Sequence, residues 1–208
     1  MRPRTGHRRH VVSALLLALA GCGGGGGDDG TDVTLLADPA VHGWVTNLGG
    51  SVSFGGSVVV GDSSGNPTLA ARGIMRFQLT DIPAGATIES ATLRVYQMLV
   101  EGTPYADLGD LLVDHVDAGA GLSADDFAGG TLQANMGVLS TSAALEIKSL
   151  DVRAAVQAAL DGGTGRVDFR FRFETETDGD AQTDGATLNG RSDEAGNGRV
   201  PVLEVTYQ

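Results

Sequence analysis

Cysteine occurs once in this 208-residue chain, at Cys22, so no intramolecular disulfide can brace the fold. Histidine occurs four times. His7 and His10 fall in a leader-like N-terminus, which leaves His42 and His115, far apart in sequence and outside any metal-ligand spacing. Carboxylate pairs such as Asp125-Asp126 are ordinary on an acidic chain, and nothing marks one with the raised pKa and fixed separation of a glycosidase pair. These scarcities argue against an enzyme. Aromatic residues make up 5% of the chain, so Val, Leu, Ile and six Phe must fill the core. Positive charge is short as well. Of the 14 basic residues, Arg2, Arg4, Arg8 and Arg9 lie in the first 21 positions, which contain no acid. The remainder carries ten basic against 26 acidic side chains, a formal charge of −16. That field repels a nucleic-acid backbone and excludes nucleic acid as a partner.

Glycine, by contrast, is abundant, at 32 residues. Most sit at turn-like breaks, as an all-β protein of many short strands requires. The rest form the run Gly23 to Gly30 (GGGGGDDG), a flexible tether with nothing to pack.

The N-terminus reads MRPRTGHRRHVVSALLLALAGC. A basic segment precedes an apolar run from Val11 to Ala20, the layout of an export signal and too short to span a bilayer. It ends in Leu19-Ala20-Gly21-Cys22, which resembles the lipobox of bacterial lipoproteins. The resemblance implies cleavage before Cys22, acylation of Cys22, and a membrane partner through the lipid anchor. Gly23 after the cysteine implies outer-membrane sorting in a Gram-negative envelope. The chain then divides into a signal peptide (1–21), a lipidated cysteine with its tether (22–32), and a folded domain (33–208).

Period-two alternation dominates the domain. In GIMRFQLTDIPAGATIESATLRVYQ, from Gly73 to Gln97, two strands flank a turn set by Pro83 and Gly85. Met75, Phe77 and Leu79 alternate with Arg76 and Gln78; Ala91, Leu93 and Val95 alternate with Thr92, Arg94 and Tyr96. The strictest alternation is Arg166 to Glu174 (RVDFRFRFE), which puts Val167, Phe169, Phe171 and Phe173 on one face and predicts a central strand. Shorter strands are expected around Thr34–Ala37, Val52–Phe54, Ser57–Gly61, Asp110–Val116, Leu145–Leu150 and Val200–Tyr207, while Val41–Val45, around Trp44, reads as loop-like. One helix is expected over about 151–161, where Val152, Ala155, Val156, Ala159 and Leu160 form a stripe, Asp151 is placed to cap the start and Gly162 ends it. Residues 117–143 read as irregular, with a short strand at Gly137–Ser140.

The order of elements is similar to the DNRLRE-type β-sandwich domains grouped with carbohydrate-binding module family 96. The carrying stretches are ARGIMRFQLTDIPAGATIESATLRVYQ at 71–97, SLDVRAAVQAALDGG at 149–163 and SDEAGNGRVPVLEVTYQ at 192–208. The resemblance implies a jelly-roll-like sandwich and, in some members, binding of acidic polysaccharide such as alginate. Other members are attached to unrelated surface proteins, so fold alone does not set function.

Three constellations are candidate sites. Arg76, Arg94, Tyr96, Arg170 and Arg172 all fall on the polar side of their strands. On one open sheet they would form a basic stripe suited to uronate carboxylates; otherwise they pair with acids across strands. Trp44, the only tryptophan, and Tyr105 are either platforms for a sugar ring or caps on the core. Asp178, Asp180 and Asp184, at near-alternate positions in an acidic loop, either contribute oxygens to a calcium ion or form a solvated turn; no other cofactor is indicated. The expectation is a non-catalytic envelope lipoprotein that binds polysaccharide. The alternative is a surface adhesion module with a protein partner.

Overall fold

The computed structural model describes residues 30–49, 53–54, 56–191 and 198–208. The leader, Cys22, most of the glycine run and the first part of the last family-like stretch lie outside them. The first six strands are β1 (Thr31–Leu36), β2 (Gly43–Thr46), β3 (Ser53–Phe54), β4 (Ser57–Asp62), β5 (Ala70–Gln78) and β6 (Ile88–Glu101). A single helical turn, α1 (Pro104–Asp107), leads to β7 (Leu111–Val116), and a 3₁₀ turn at Ala124–Phe127 leads to β8 (Thr131–Ser140). Then come β9 (Ile147–Asp151), helix α2 (Arg153–Asp161), β10 (Arg166–Phe173), β11 (Gly185–Asn189) and β12 (Val202–Tyr207). The expected all-β sandwich-like architecture with one substantial helix is therefore observed. Among the described residues no helix is long and apolar enough to cross a membrane.

Every pairing is antiparallel. One layer runs β1-β12-β6-β9. The other runs β11-β4-β5-β10-β7-β8, with β2 on β5 and β3 on β2. β6 belongs to both layers. Its first half pairs with β12 and β9, and its last residues, beyond a bulge, pair with β11. The sheet therefore curls through β6 rather than closing as two separate layers.

The core lies between the layers. Phe77, Phe169, Phe171 and Met75 face Leu93, Val95, Leu203 and Ile88, all fully buried. Each buried phenylalanine contributes about 1.5–3 kcal/mol. As expected, β10 is central, flanked by β5 and β7. Helix α2 fills one end of the sandwich with Val156, Ala155 and Ala159. It is fastened to the start of β6 by Gln157, which accepts from Ile88 N at 2.7 Å, and by Arg153 Nε, which donates to Ile88 O at 2.8 Å.

Several local expectations are corrected. The strands on either side of Pro83 and Gly85 do not pair with each other; the turn carries the chain from one layer to the other. Thr31 and Asp32, expected in the tether, already belong to β1 and pair with Tyr207 and Thr206. Asp151 is not the N-cap residue. Val152 holds that position, and Asp151 Oδ1 accepts from Arg153 N at 2.9 Å. Residues 131–140, expected to be mostly irregular, form the ten-residue edge strand β8.

Candidate functional site

The polar face of β5, β10 and β7 is not open. The segment 117–135 lies over it, and the arginines fasten that segment down. Arg76 is 4% exposed and Arg170 3%. Arg76 faces Asp168 across the strand pair and grips it with Nε and Nη2, both at 2.7 Å, while Nη2 also donates to Gly119 O. Asp168 in turn accepts from Ala118 N at 2.9 Å. Arg170 faces Asp114 across the other pair and donates to it at 3.0 Å, then reaches Gly129 O at 2.9 Å and Thr131 Oγ1 at 2.7 Å. Arg172 shares Asp114 at 3.1 Å. Burial alone would raise the Asp114 pKa, but the Asn135 N–H and the two guanidinium groups outweigh it and hold the carboxyl below its ordinary value. Above this layer Phe127 and Ala118 join Val45, Ala70 and Ile74 in a second, small apolar cluster. The expected basic stripe is thus corrected for Arg76, Arg170 and Arg172: these side chains are structural.

Arg94 and Tyr96 lie elsewhere, on the first half of β6. Arg94 pairs with Glu204 at 2.5 Å, both well exposed, and Arg199 stacks over the Tyr96 ring at 4.5 Å.

Among the described residues a different face is left more open: the outer side of β4, β11 and β6, where Ser57, Val59 and Thr187 are half-buried and Met98 and Leu99 exposed. Val58 and Val60, Ala186 and Leu188 point into the core. Period two therefore turns Ser57 and Val59 outward on β4, and Thr187 outward on β11; at Gly61 a positive φ breaks the period and the Asp184 backbone packs against it. The register aligns Val59 with Thr187 and Thr187 with Leu99, and aligns Gly61, Gly185 and Glu101. On β6 the bulge opposite Thr187 and Leu188 leaves both Met98 (42% exposed) and Leu99 (44%) facing solvent. From Ser57 to Val59 the strand advances about 7 Å at roughly 3.3 Å per residue.

Each end of this face opens into a groove. At the β2 end a groove of about 500 Å³ is lined by half-buried Trp44, exposed Leu48, Val59, Asp62, Glu101 and Thr183. Trp44 turns this way because its neighbour Val45 is taken by the small apolar cluster. At the opposite end a groove of about 390 Å³ is lined by Tyr96, Met98, Ser57, Asn189, Arg191 and Arg199. Asn189 shapes this end by donating to Arg199 O at 2.9 Å and accepting from Arg191 N at 3.0 Å. His42 also serves it. Its Nδ1–H donates to Asp38 O at 3.2 Å and its Nε2 accepts from Gly56 N at 3.3 Å, which sets the start of β4. The face thus runs from an acidic, tryptophan-lined end to a basic, tyrosine-lined end.

The acidic end continues into a carboxylate cluster. Asp107, Asp178 and Asp184 each offer an oxygen within 4.8 Å of the others. Of the expected metal set, Asp180 is absent; its Oδ1 accepts from Gln182 N at 2.7 Å within the loop. Asp107 takes its place from α1, a contribution the loop sequence does not reveal. Burial pushes the Asp184 carboxyl up, and Asp107, Asp62 and Asp180 push in the same direction, against the hydrogen bond from Thr103 N. Tyr105, the other expected aromatic platform, is packed edge-to-face on Phe173 at 5.4 Å and donates its hydroxyl to Gln97.

One motif escaped the sequence reading. Gly61-Asp62-Ser63-Ser64-Gly65 has the G-x-S-x-G spacing, and Ser63 lines the tryptophan groove. A nucleophile elbow needs a strand-to-helix turn and a histidine in reach. Here β4 runs into a turn, and no histidine lines that groove among the described residues. Compared with protein-family models and with curated proteins, the chain matches none.

Proposed function

We propose that this chain is a non-catalytic lipoprotein of the bacterial cell envelope, anchored through Cys22, whose sandwich holds polysaccharide on the open face of β4, β11 and β6. The observation that carries the proposal is the strip of outward side chains joining two grooves. Trp44, Leu48, Val59, Leu99 and Met98 present ring and aliphatic surface to the C–H faces of sugars. Polar groups at the rims meet the hydroxyls. Acidic sugars suit the Tyr96 end, where Arg199 and Arg191 supply cationic groups, and are repelled at the other end by Glu101 and Asp62. A chain with its charged groups toward one end of the bound segment fits this gradient better than a uniformly anionic one. The likeness to carbohydrate-binding module family 96 supports the same reading.

The test is affinity electrophoresis of the Cys22→Ser chain, with and without calcium, in gels containing alginate, a neutral β-glucan or no polysaccharide. Retardation in a polysaccharide gel that is lost in Trp44→Ala or Tyr96→Ala supports the proposal. Unretarded migration in all gels removes it. The same Cys22→Ser change should move the protein from the membrane to the soluble fraction; persistence in the membrane removes the anchor.

A second reading rests on a separate observation. β8 and β9 are neighbouring edge strands, and Leu132, Val138, Leu145 and Ile147 on or beside them are exposed. Exposed apolar side chains along open strand edges favour a protein partner there.

A further inference from the structure

His115 occupies a core-facing position that offers it nothing to bond with. It follows Leu111 and Val113 on the inward side of β7, is 5% exposed, and lies opposite Phe169 with ring centroids 6.5 Å apart. Among the described residues no protein group hydrogen-bonds its ring, and neither ring nitrogen is sealed from solvent-sized space. Both ring nitrogens can therefore bond with water or with a ligand that displaces it. The space it faces is a cleft of about 380 Å³ where the last turn of α2 meets the ends of β7, β8 and β10. That is at the small end of the usual range for ligand pockets, about 300–1,000 Å³. Leu132, Val116, Ala158 and Ala159 make its walls mainly apolar.

The charged groups around the cleft are already committed. Asp168 is held by Arg76, and Arg166 is held by Asp117 at 2.7 Å. A carboxylate ligand would add negative charge beside Asp117 and Asp168 and could only accept hydrogen bonds. A neutral imidazole has one N–H and one lone pair, and a hydroxyl can meet either. Burial lowers the His115 pKa, which favours that neutral form.

We propose that this cleft binds a small, neutral, hydroxyl-bearing ring, with the apolar body against Leu132 and α2 and the hydroxyl on the His115 imidazole. The site is separate from the open face of β4, β11 and β6.

The test is titration of the Cys22→Ser chain with phenol, toluene and sodium benzoate, following the His115 ring nitrogens by NMR. Phenol is expected to shift them saturably with a Kd on the order of 1 mM, and to bind more tightly than toluene or benzoate. Ala158 lies on the exposed side of α2 at the cleft wall, so Ala158→Phe should block entry, weaken phenol at least tenfold and leave the fold intact. His115→Phe should erase the preference for phenol over toluene, read from chemical shifts of the cleft-wall methyl groups of Leu132 and Val116. Trp44→Ala should leave phenol binding unchanged. A non-saturating response, benzoate binding at least as tightly as phenol, undiminished binding in Ala158→Phe, or loss of binding in Trp44→Ala would each overturn the proposal.

Discussion

Two sheet faces in this molecule have the same alternating pattern and opposite fates. On β5, β10 and β7 the polar side chains are long, charged and matched. Arg76 meets Asp168 and Arg170 meets Asp114 directly across the strands, and the guanidinium groups left over bind carbonyls of a crossing segment. On β4, β11 and β6 the outward residues are short or apolar, namely Ser57, Val59, Thr187 and Leu99, and no segment among the described residues is fastened over them by paired charges. A sheet face rich in paired charge can thus be an anchor for a covering loop, while a nearly uncharged face remains available to a ligand. The arginines that resemble a binding stripe are what hold the cover shut.

The comparison can be broken most forcefully at Asp168. Asp168→Ala strands Arg76, buried and unpaired, and should cost about 3–5 kcal/mol in urea unfolding. The double variant Arg76→Met, Asp168→Leu should recover most of that loss. If Asp168→Ala unfolds like the wild type, the covered face is not a structural anchor. On the open face the expectation inverts. Trp44→Ala should weaken polysaccharide binding at least tenfold, about 1.4 kcal/mol, while the unfolding midpoint moves little. A large drop in stability instead would place Trp44 with the core.

Acid should separate the faces next. The Asp114 carboxyl has a folded pKa depressed below 3.8, so its stabilising contribution is complete above that value and disappears as pH falls through the folded pKa. Asp114→Asn should therefore lower stability at pH 7 and flatten the decline below about pH 4. An unchanged acid limb would contradict this. Asp184 has the opposite sign. Its raised pKa means its contribution is present below the ordinary carboxyl value and is lost as pH rises through the folded one. Asp184→Asn should thus raise the thermal midpoint slightly at pH 7, with the Thr103 hydrogen bond kept. Calcium should stabilise the wild type more than this variant; equal responses would leave the carboxylate cluster without an ion. The smallest effect belongs to Arg94→Ala, whose exposed pair with Glu204 should be worth under about 1 kcal/mol.

Strong alternation and a clear apolar stripe made much of the fold legible in the residues. β10 reads as central because three phenylalanines share its inner face, and α2 reads as a helix because its stripe repeats at the right period. Of β8 only the end, Gly137–Ser140, was legible, because the rest is exposed on both sides and TLQANM has no alternation to detect. The candidate site was less legible. Period two says which residues share a face, not whether the chain later folds back over it, so Arg76 and Arg170 were misplaced while Trp44 lines a groove. Tyr96 does border the open face, but its neighbour Arg199 comes from a distant stretch. Asp107 joins Asp178 and Asp184 only through the tertiary fold, and the bulge that exposes both Met98 and Leu99 breaks the very period used to read the strand.

The dual membership of β6 has a consequence for how anything is recognised on that open face. A strand hydrogen-bonded in both layers acts as a rigid strut and stops them from hinging apart. A sugar chain would meet a platform shaped in advance, so ordering the protein would subtract little from affinity. Calorimetry should then show an entropic penalty set by the glycan's own stiffness.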